Sequence, residues 1–133
     1  MQRDMTWDVI AKDVEGLSRR FEAVSQNMAN GNTPRYARRE VSFEDQLKEL
    51  IDGPTKLPLA VTDTKHIPRR PLSVNDVVPE ESRIYDEWYR LDGNNVDPER
   101  ENALLNQTRM GYTAMNRMLG RKFGLYKAVI GGR

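Results

Sequence analysis

The chain contains no cysteine, which excludes disulfides, thiolate metal sites and a cysteine nucleophile. It has a single histidine, His66, and neither a paired-histidine nor a serine-elbow spacing. No catalytic, cofactor-binding or metal-ligating residue is therefore expected, and His66 is read as a hydrogen-bonding structural residue. No apolar run approaches the length of a membrane span, and the N-terminus lacks the apolar core of a signal peptide. If the protein leaves the cytoplasm, it is expected to do so without a cleaved signal peptide. Apolar residues are also scarce: 38% of 133 residues against 31% charged, with a mean hydropathy of −0.76. So lean a composition suits extended helices that each bury one stripe better than a compact enzyme built around a pocket.

What is present is a seam at each end. Trp7, Ile10, Val14, Leu17, Phe21, Val24 and Met28 follow one another at alternating steps of three and four. Leu105, Thr108, Tyr112, Met115, Leu119, Lys122, Tyr126 and Val129 repeat those steps near the C-terminus, with one charged exception at Lys122. Such alternation keeps a narrow apolar stripe on one side of a long helix, as at a coiled-coil interface. The first helix is expected from Asp4 to Asn30, with Gly31 as its C′ residue and Thr33-Pro34 blocking continuation. The second is expected from Pro98 to Ile130, with Asp97 as N-cap, Pro98 at N1 and Gly131-Gly132 as the stop. Leu104, Gly111, Met118 and Leu125 add a second stripe at steps of seven, which suggests more than one partner helix.

The middle reads differently. Residues Pro54 to Pro79 hold five of the seven prolines, which excludes long helices there. Phe43 to Ile51 has the spacing of one short helix. The alternation of Tyr36, Val41 and Phe43 is too imperfect for a strand to be read, while Leu57–Val61 and Ser73–Val78 suit short extended pieces. The aromatic residues of 84–91 (Ile84, Tyr85, Trp88, Tyr89, Leu91) fit a strand or a loop anchor. The fold class expected is thus mainly α. Long terminal helices (residues 1–46 and 92–133) pair as a coiled-coil-like core domain, and a proline-rich, partly β outer segment (residues 47–91) lies between them.

Charge is nearly balanced in total, +1, but unevenly spread. Residues 101–133 carry six basic side chains against one acidic, and residues 40–100 carry fourteen acidic against eight basic. Mutual neutralisation within or between subunits is the simplest reading. The alternative is a basic-helix nucleic-acid-binding or adaptor module using Arg109, Arg117, Arg121, Lys122 and Lys127. These residues do not share one face, and no aromatic platform accompanies them. Asp92-Gly93-Asn94-Asn95-Val96-Asp97 resembles a calcium loop, but its glycine stands second rather than sixth. A tight turn leading into a capped helix explains it better.

Three motifs in order resemble the bacterial flagellar rod and hook proteins. Asn27-Met28-Ala29-Asn30-Gly31-Asn32-Thr33-Pro34-Arg35-Tyr36 is similar to the N-x-A-N-x-x-T-P-G-Y signature of that axial family. Thr62-Asp63-Thr64-Lys65-His66-Ile67 is similar to a T-x-x-x-H-[IL] element of its small rod members. Asp92 to Asp97, followed by a long helix, resembles the D-G-N-N-V-D segment of the proximal rod proteins. Where the family usually has glycine, this chain has Arg35; if that position needs positive φ, arginine is strained there.

The resemblance implies a non-enzymatic structural subunit of the proximal rod, exported by the flagellar type III apparatus and assembled in the periplasm. Implied neighbours are other copies of itself, the rod protein FlgC, the adaptor FliE and the membrane-embedded MS ring, with no nucleic acid and no small-molecule substrate. Subunit packing would fall to Trp7, Ile10, Val14, Leu17, Phe21, Val24, Met28, Leu105, Tyr112, Met115, Leu119 and Tyr126. Asn27, Ala29, Asn30, Thr33, Pro34 and Tyr36 would fix the exit from the first helix. Thr62 and His66 complete the middle motif, and Asp92, Gly93, Asn94, Asn95, Val96 and Asp97 would set the angle at which the last helix begins.

Overall fold

A computed structural model describes residues 5–52, 73–85 and 90–132. The stretch Leu57–Val61, the motif residues Thr62 and His66, and Trp88 and Tyr89 lie outside the described residues. The element order is α1 (Met5–Ala29), β1 (Arg39–Ser42), α2 (Glu44–Asp52), a single 3-10 turn (Val74–Asp76), β2 (Glu80–Arg83) and α3 (Pro98–Ile130). The fold is mainly α, with long terminal helices and one small two-stranded antiparallel sheet.

α1 and α3 run antiparallel against each other, and the sequence seams explain much of the contact. Ile10, Leu17 and Val24 are buried, with Trp7 and Val14 half-buried beside them. At the far end the Trp7 ring stacks edge-on to Phe123, with centroids 4.7 Å apart, and lies 5.8 Å from Tyr126. Lys122, the charged exception in the C-terminal seam, sets its ammonium 5.5 Å from the Trp7 ring centre. The seam therefore accommodates the charge through a cation–π contact. On α3 the inward line departs from the expected one: Gly111, not Tyr112, faces α1. A β-carbon on Gly111 would sit 3.4 Å from the Leu17 methyls, whereas Tyr112 is 42% exposed.

α1 carries a second seam. Val9, Asp13, Gly16, Arg20, Ala23 and Asn27 also alternate steps of four and three, and this side holds the β1–α2 segment. Gly16 lets the Phe43 ring lie directly on the helix backbone; a β-carbon there would come within 2.5 Å of three ring atoms. Arg20 lies over that ring, 5.0 Å from its centre, pairs with Glu44 and donates to the Val41 carbonyl at 3.0 Å. Leu17, Ala23, Val41, Phe43, Leu47 and Val77 form the core, flanked by Val9 and Met115.

Three local expectations change. Residues 39–42 are a strand despite their poor alternation, because only Val41 turns inward while the backbone pairs with β2 in the register Arg39↔Arg83 to Ser42↔Glu80. Part of Ser73–Val78 is a 3-10 turn rather than extended, since the Asp76 carboxylate accepts from the Ser73 N–H at 2.9 Å and its hydroxyl at 3.0 Å. The left-handed residue after α1 is Arg35, at φ 58°, and not Gly31. α1 instead ends in overlapping turns, with Asn30 N–H donating to the Gln26 and Asn27 carbonyls, both at 3.1 Å, and Gly31 N–H to Met28 at 3.3 Å. At the other end of the chain the expectations for α3 hold: Asp97 accepts from the Glu99 N–H at 2.9 Å, and Gly131 follows Ile130.

Candidate functional site

The first and third motifs, separated by some sixty residues of chain, meet at one end of the helix pair. The turn after α1 and the loop before α3 are joined through backbone: Arg35 N–H donates to the Asp92 carbonyl at 3.0 Å and Asn95 N–H to that of Tyr36 at 3.4 Å. Gly93, at φ 75°, makes the loop tight enough for this. Three asparagines then lock the junction. The Asn94 amide nitrogen lies 2.9 Å from the Asn30 carbonyl, 3.1 Å from that of Gly31 and 2.8 Å from that of Thr33, satisfying the open end of α1. Its amide oxygen accepts from the Val96 N–H at 2.8 Å. Asn95 accepts from the Arg38 N–H at 2.7 Å and donates to the Ile84 carbonyl at 2.6 Å, tying the loop to both strands' ends.

Asn27 is the third and the most connected. Fully buried on the last turn of α1, it donates to the Arg39 carbonyl at 2.8 Å and to Glu101 at 3.0 Å. Its oxygen accepts from the Arg39 N–H at 2.8 Å and from the Tyr36 hydroxyl at 3.3 Å. One amide thus fixes helix, strand and the first turn of α3 together. An amide can do this because it presents donors and an acceptor in one plane, matching the donor and acceptor of a single extended residue.

Glu101 lies beneath Asn27 with no exposed surface, and its second carboxylate oxygen has no hydrogen-bond partner. Burial pushes its carboxyl above the usual glutamate value, while the Asn27 hydrogen bond and the charges of Arg38 and Arg100 act against that rise. Thr108, two turns further along the same face of α3, is also buried and returns its hydroxyl to the Leu104 carbonyl at 2.7 Å. The clasp can hold and orient; among the described residues no group of acidic or histidine side chains could hold a metal ion. No helix there is long and apolar enough to cross a membrane.

The second feature is the surface the pair leaves uncovered. Phe21, Met28, Tyr112 and Tyr126, all read from sequence as packing residues, are 39–45% exposed in the single chain. A groove of about 370 Å3 opens between the helices, lined by Leu17, Phe21, Thr108, Arg109, Tyr112 and neighbours. Further along α3, Met118, Phe123, Leu125, Val129 and Ile130 are 53–84% exposed. Single exposed apolar residues need no explanation, but several along the last half of one helix mark an interaction surface. Sequence reading found Asn27, Asn94 and Asn95 through their motifs and gave Gly16, Arg38 and Glu101 no place in the site. The second α1 seam had a signal in its steps of four and three, hidden because its members are mostly small or polar.

No family model matches the chain. Among curated proteins, it is 33% identical over 112 residues to the flagellar basal body rod protein FlgB of Borreliella burgdorferi, covering 80% of this chain and 82% of that protein. The FlgB of Borrelia hermsii is 29% identical over 130 residues, 96% of each chain. The FlgB of Escherichia coli (strain K12) is 35% identical over 88 residues, and there the match spans 62% of the relative's length.

Proposed function

The chain belongs to the family of the flagellar basal body rod protein FlgB, and from that premise we propose that it is a structural subunit of the proximal rod. In this reading it assembles with its own copies and with other rod proteins into the helical tube that surrounds the export channel and transmits torque. Its relatives are named as rod proteins, and no catalytic role is assigned to it. The carrying observation is the apolar surface left open along α3, where Met110, Met118, Leu125, Val129 and Ile130 are each more than half exposed. Burying such side chains between subunits contributes roughly 25 cal/mol per Å2, so a few per contact supply the association energy.

The clasp has a matching task. It sets the angle between α1 and α3, so that every subunit offers its neighbours the same two-helix face. Residues 1–46 and 92–133 form the core assembly domain, and residues 47–91 the outer segment, whose first residues in α2 stay packed on α1. Phe21, Met28, Tyr112 and Tyr126, at the rim of the helix pair, meet adjacent subunits. The partners are FlgC, FliE, the MS ring and the type III export apparatus, the last carrying the chain to the periplasmic rod without a cleaved signal peptide.

The test is assembly in a cell that lacks its own FlgB. The wild-type chain should restore rods and swimming. Met118→Glu combined with Leu125→Glu should leave the helical content and melting of the purified chain unchanged and abolish rods. Failure of the wild type, or full assembly by the double variant, would overturn the proposal.

A further inference from the structure

Four basic residues of α3 find no acidic partner among the described residues. Arg109, Arg117, Arg121 and Lys127 form no ion pair among the described residues, whose cross-element pairs are Arg20–Glu44 and Arg39–Glu81. Elsewhere on the molecule the opposite deficit appears. Between the first half of α1 and α2 lies a groove of about 360 Å3, with Val9, Leu47 and Ile51 as its apolar surface and Asp13, Glu44 and Asp52 around it. Lys48 is the one cation among its lining residues. Asp13 feels the imbalance: burial pushes its carboxyl up, Glu44 pushes it further, and only Arg20 opposes them.

A matching surface exists on α3. Met110, Ala114, Met118, Arg121, Leu125 and Ala128 follow at steps of four and three and are all exposed, with Arg117 alongside. This face lies round the helix from Gly111, Met115 and Lys122, which meet α1. Because α3 is one unbroken helix held to α1 along that other face, it cannot turn this one into its own chain's groove.

We propose that the acidic, apolar groove between α1 and α2 receives the Met118–Arg121–Leu125 face of α3 from a second copy of the chain. Apolar side chains seat on Val9, Leu47 and Ile51, while Arg117 and Arg121 answer the carboxylates of Asp13 and Asp52, Glu44 being already held by Arg20. The occupant is another copy because the complementary charge and the complementary apolar spacing both stand on this chain. The contact is heterologous, groove to helix face, and such a contact builds an open helical array when its rotation does not close. This rests on the rod reading above and specifies which surfaces make the self-contact.

Absence of native cysteine makes a crosslinking test clean. Ile51→Cys and Leu125→Cys, both at exposed positions, are placed in separate full-length chains, mixed, and treated with a short bis-maleimide. The mixed dimer should dominate over both homodimers, and Arg121→Glu in the Leu125→Cys copy should reduce it by about tenfold, as loss of a close interfacial charge pair does. Lys48→Cys with Met118→Cys gives a second, independent pair. If neither pair yields mixed dimers above the homodimer level, or if Ile51→Cys is captured by a different rod protein instead, the proposal fails. Wild-type complementation run in parallel separates the two claims. Rods without mixed crosslinks sink the groove assignment alone, whereas no rods from the wild type sinks the rod reading.

Discussion

Asn27 shows how much one side chain can decide. Its amide spans α1, β1 and α3, and no apolar residue of similar size could leave so few backbone groups unpaired at that junction. The sequence made Asn27 visible through its motif, but nothing local marks Glu101, seventy-four residues away, as its partner. Arg35 was legible in a different way. Arginine in the place of the family's glycine predicted strain if φ were positive, and φ is 58°. Arg35→Gly should therefore stabilise the chain by about 0.5–1 kcal/mol, the relief of left-handed strain being partly offset by glycine's greater freedom when unfolded. Urea denaturation measures it, and a loss of stability would contradict the strain.

Glu101 gives a prediction in pH. Burial raises its carboxyl above 4.5, so the folded chain holds that proton more tightly than the unfolded chain does. The associated stabilisation is complete below about pH 4.5 and is lost as the pH rises through the raised value. Asp13, raised from 3.8, adds a component of the same sign that begins lower. Glu101→Gln should flatten the fall in melting temperature between pH 4.5 and neutrality. Parallel pH profiles for wild type and variant would show that Glu101 titrates normally in the folded chain.

Among the elements, the two long helices were the most legible, because a three-four ladder, a proline at N1 and a terminal glycine pair all act locally. β1 was not. Its four residues become a strand through pairing with Glu80–Arg83, and a partner forty residues away leaves no periodicity to read. The second seam of α1 escaped for a chemical reason: an apolar count passes over Gly16, Asp13 and Asn27, although they stand on the side of α1 that holds β1 and α2. Three glycine substitutions separate packing from propensity. Gly16→Ala should cost about 1–3 kcal/mol, because its β-carbon collides with Phe43. Gly120→Ala meets nothing within 4 Å and should stabilise α3 by up to about 1 kcal/mol. Gly111→Ala, 3.4 Å from Leu17, should fall between them. Chemical denaturation of the three variants ranks them, and equal effects at Gly16 and Gly120 would contradict the close approach of the Phe43 ring.

For the whole molecule, the paired seams take on a more specific meaning than self-association. Part of each seam is used within the chain, where Leu17 and Val24 are buried and Lys122 rests on Trp7. What remains outside is the Met118–Leu125 side of the last half of α3 and the rim residues Phe21, Met28, Tyr112 and Tyr126. The expectation that basic α3 and the acidic middle neutralise each other within or between subunits also narrows. Arg109, Arg117, Arg121 and Lys127 make no ion pair among the described residues, which directs that charge outward. A density map of the basal body assembled with this chain tests the central claim most directly. The account predicts that α1 and α3 remain paired in each subunit and that the Met118–Leu125 face lies buried between neighbouring subunits. A rod in which that face is open to solvent, or in which α1 and α3 of one chain separate, would contradict it.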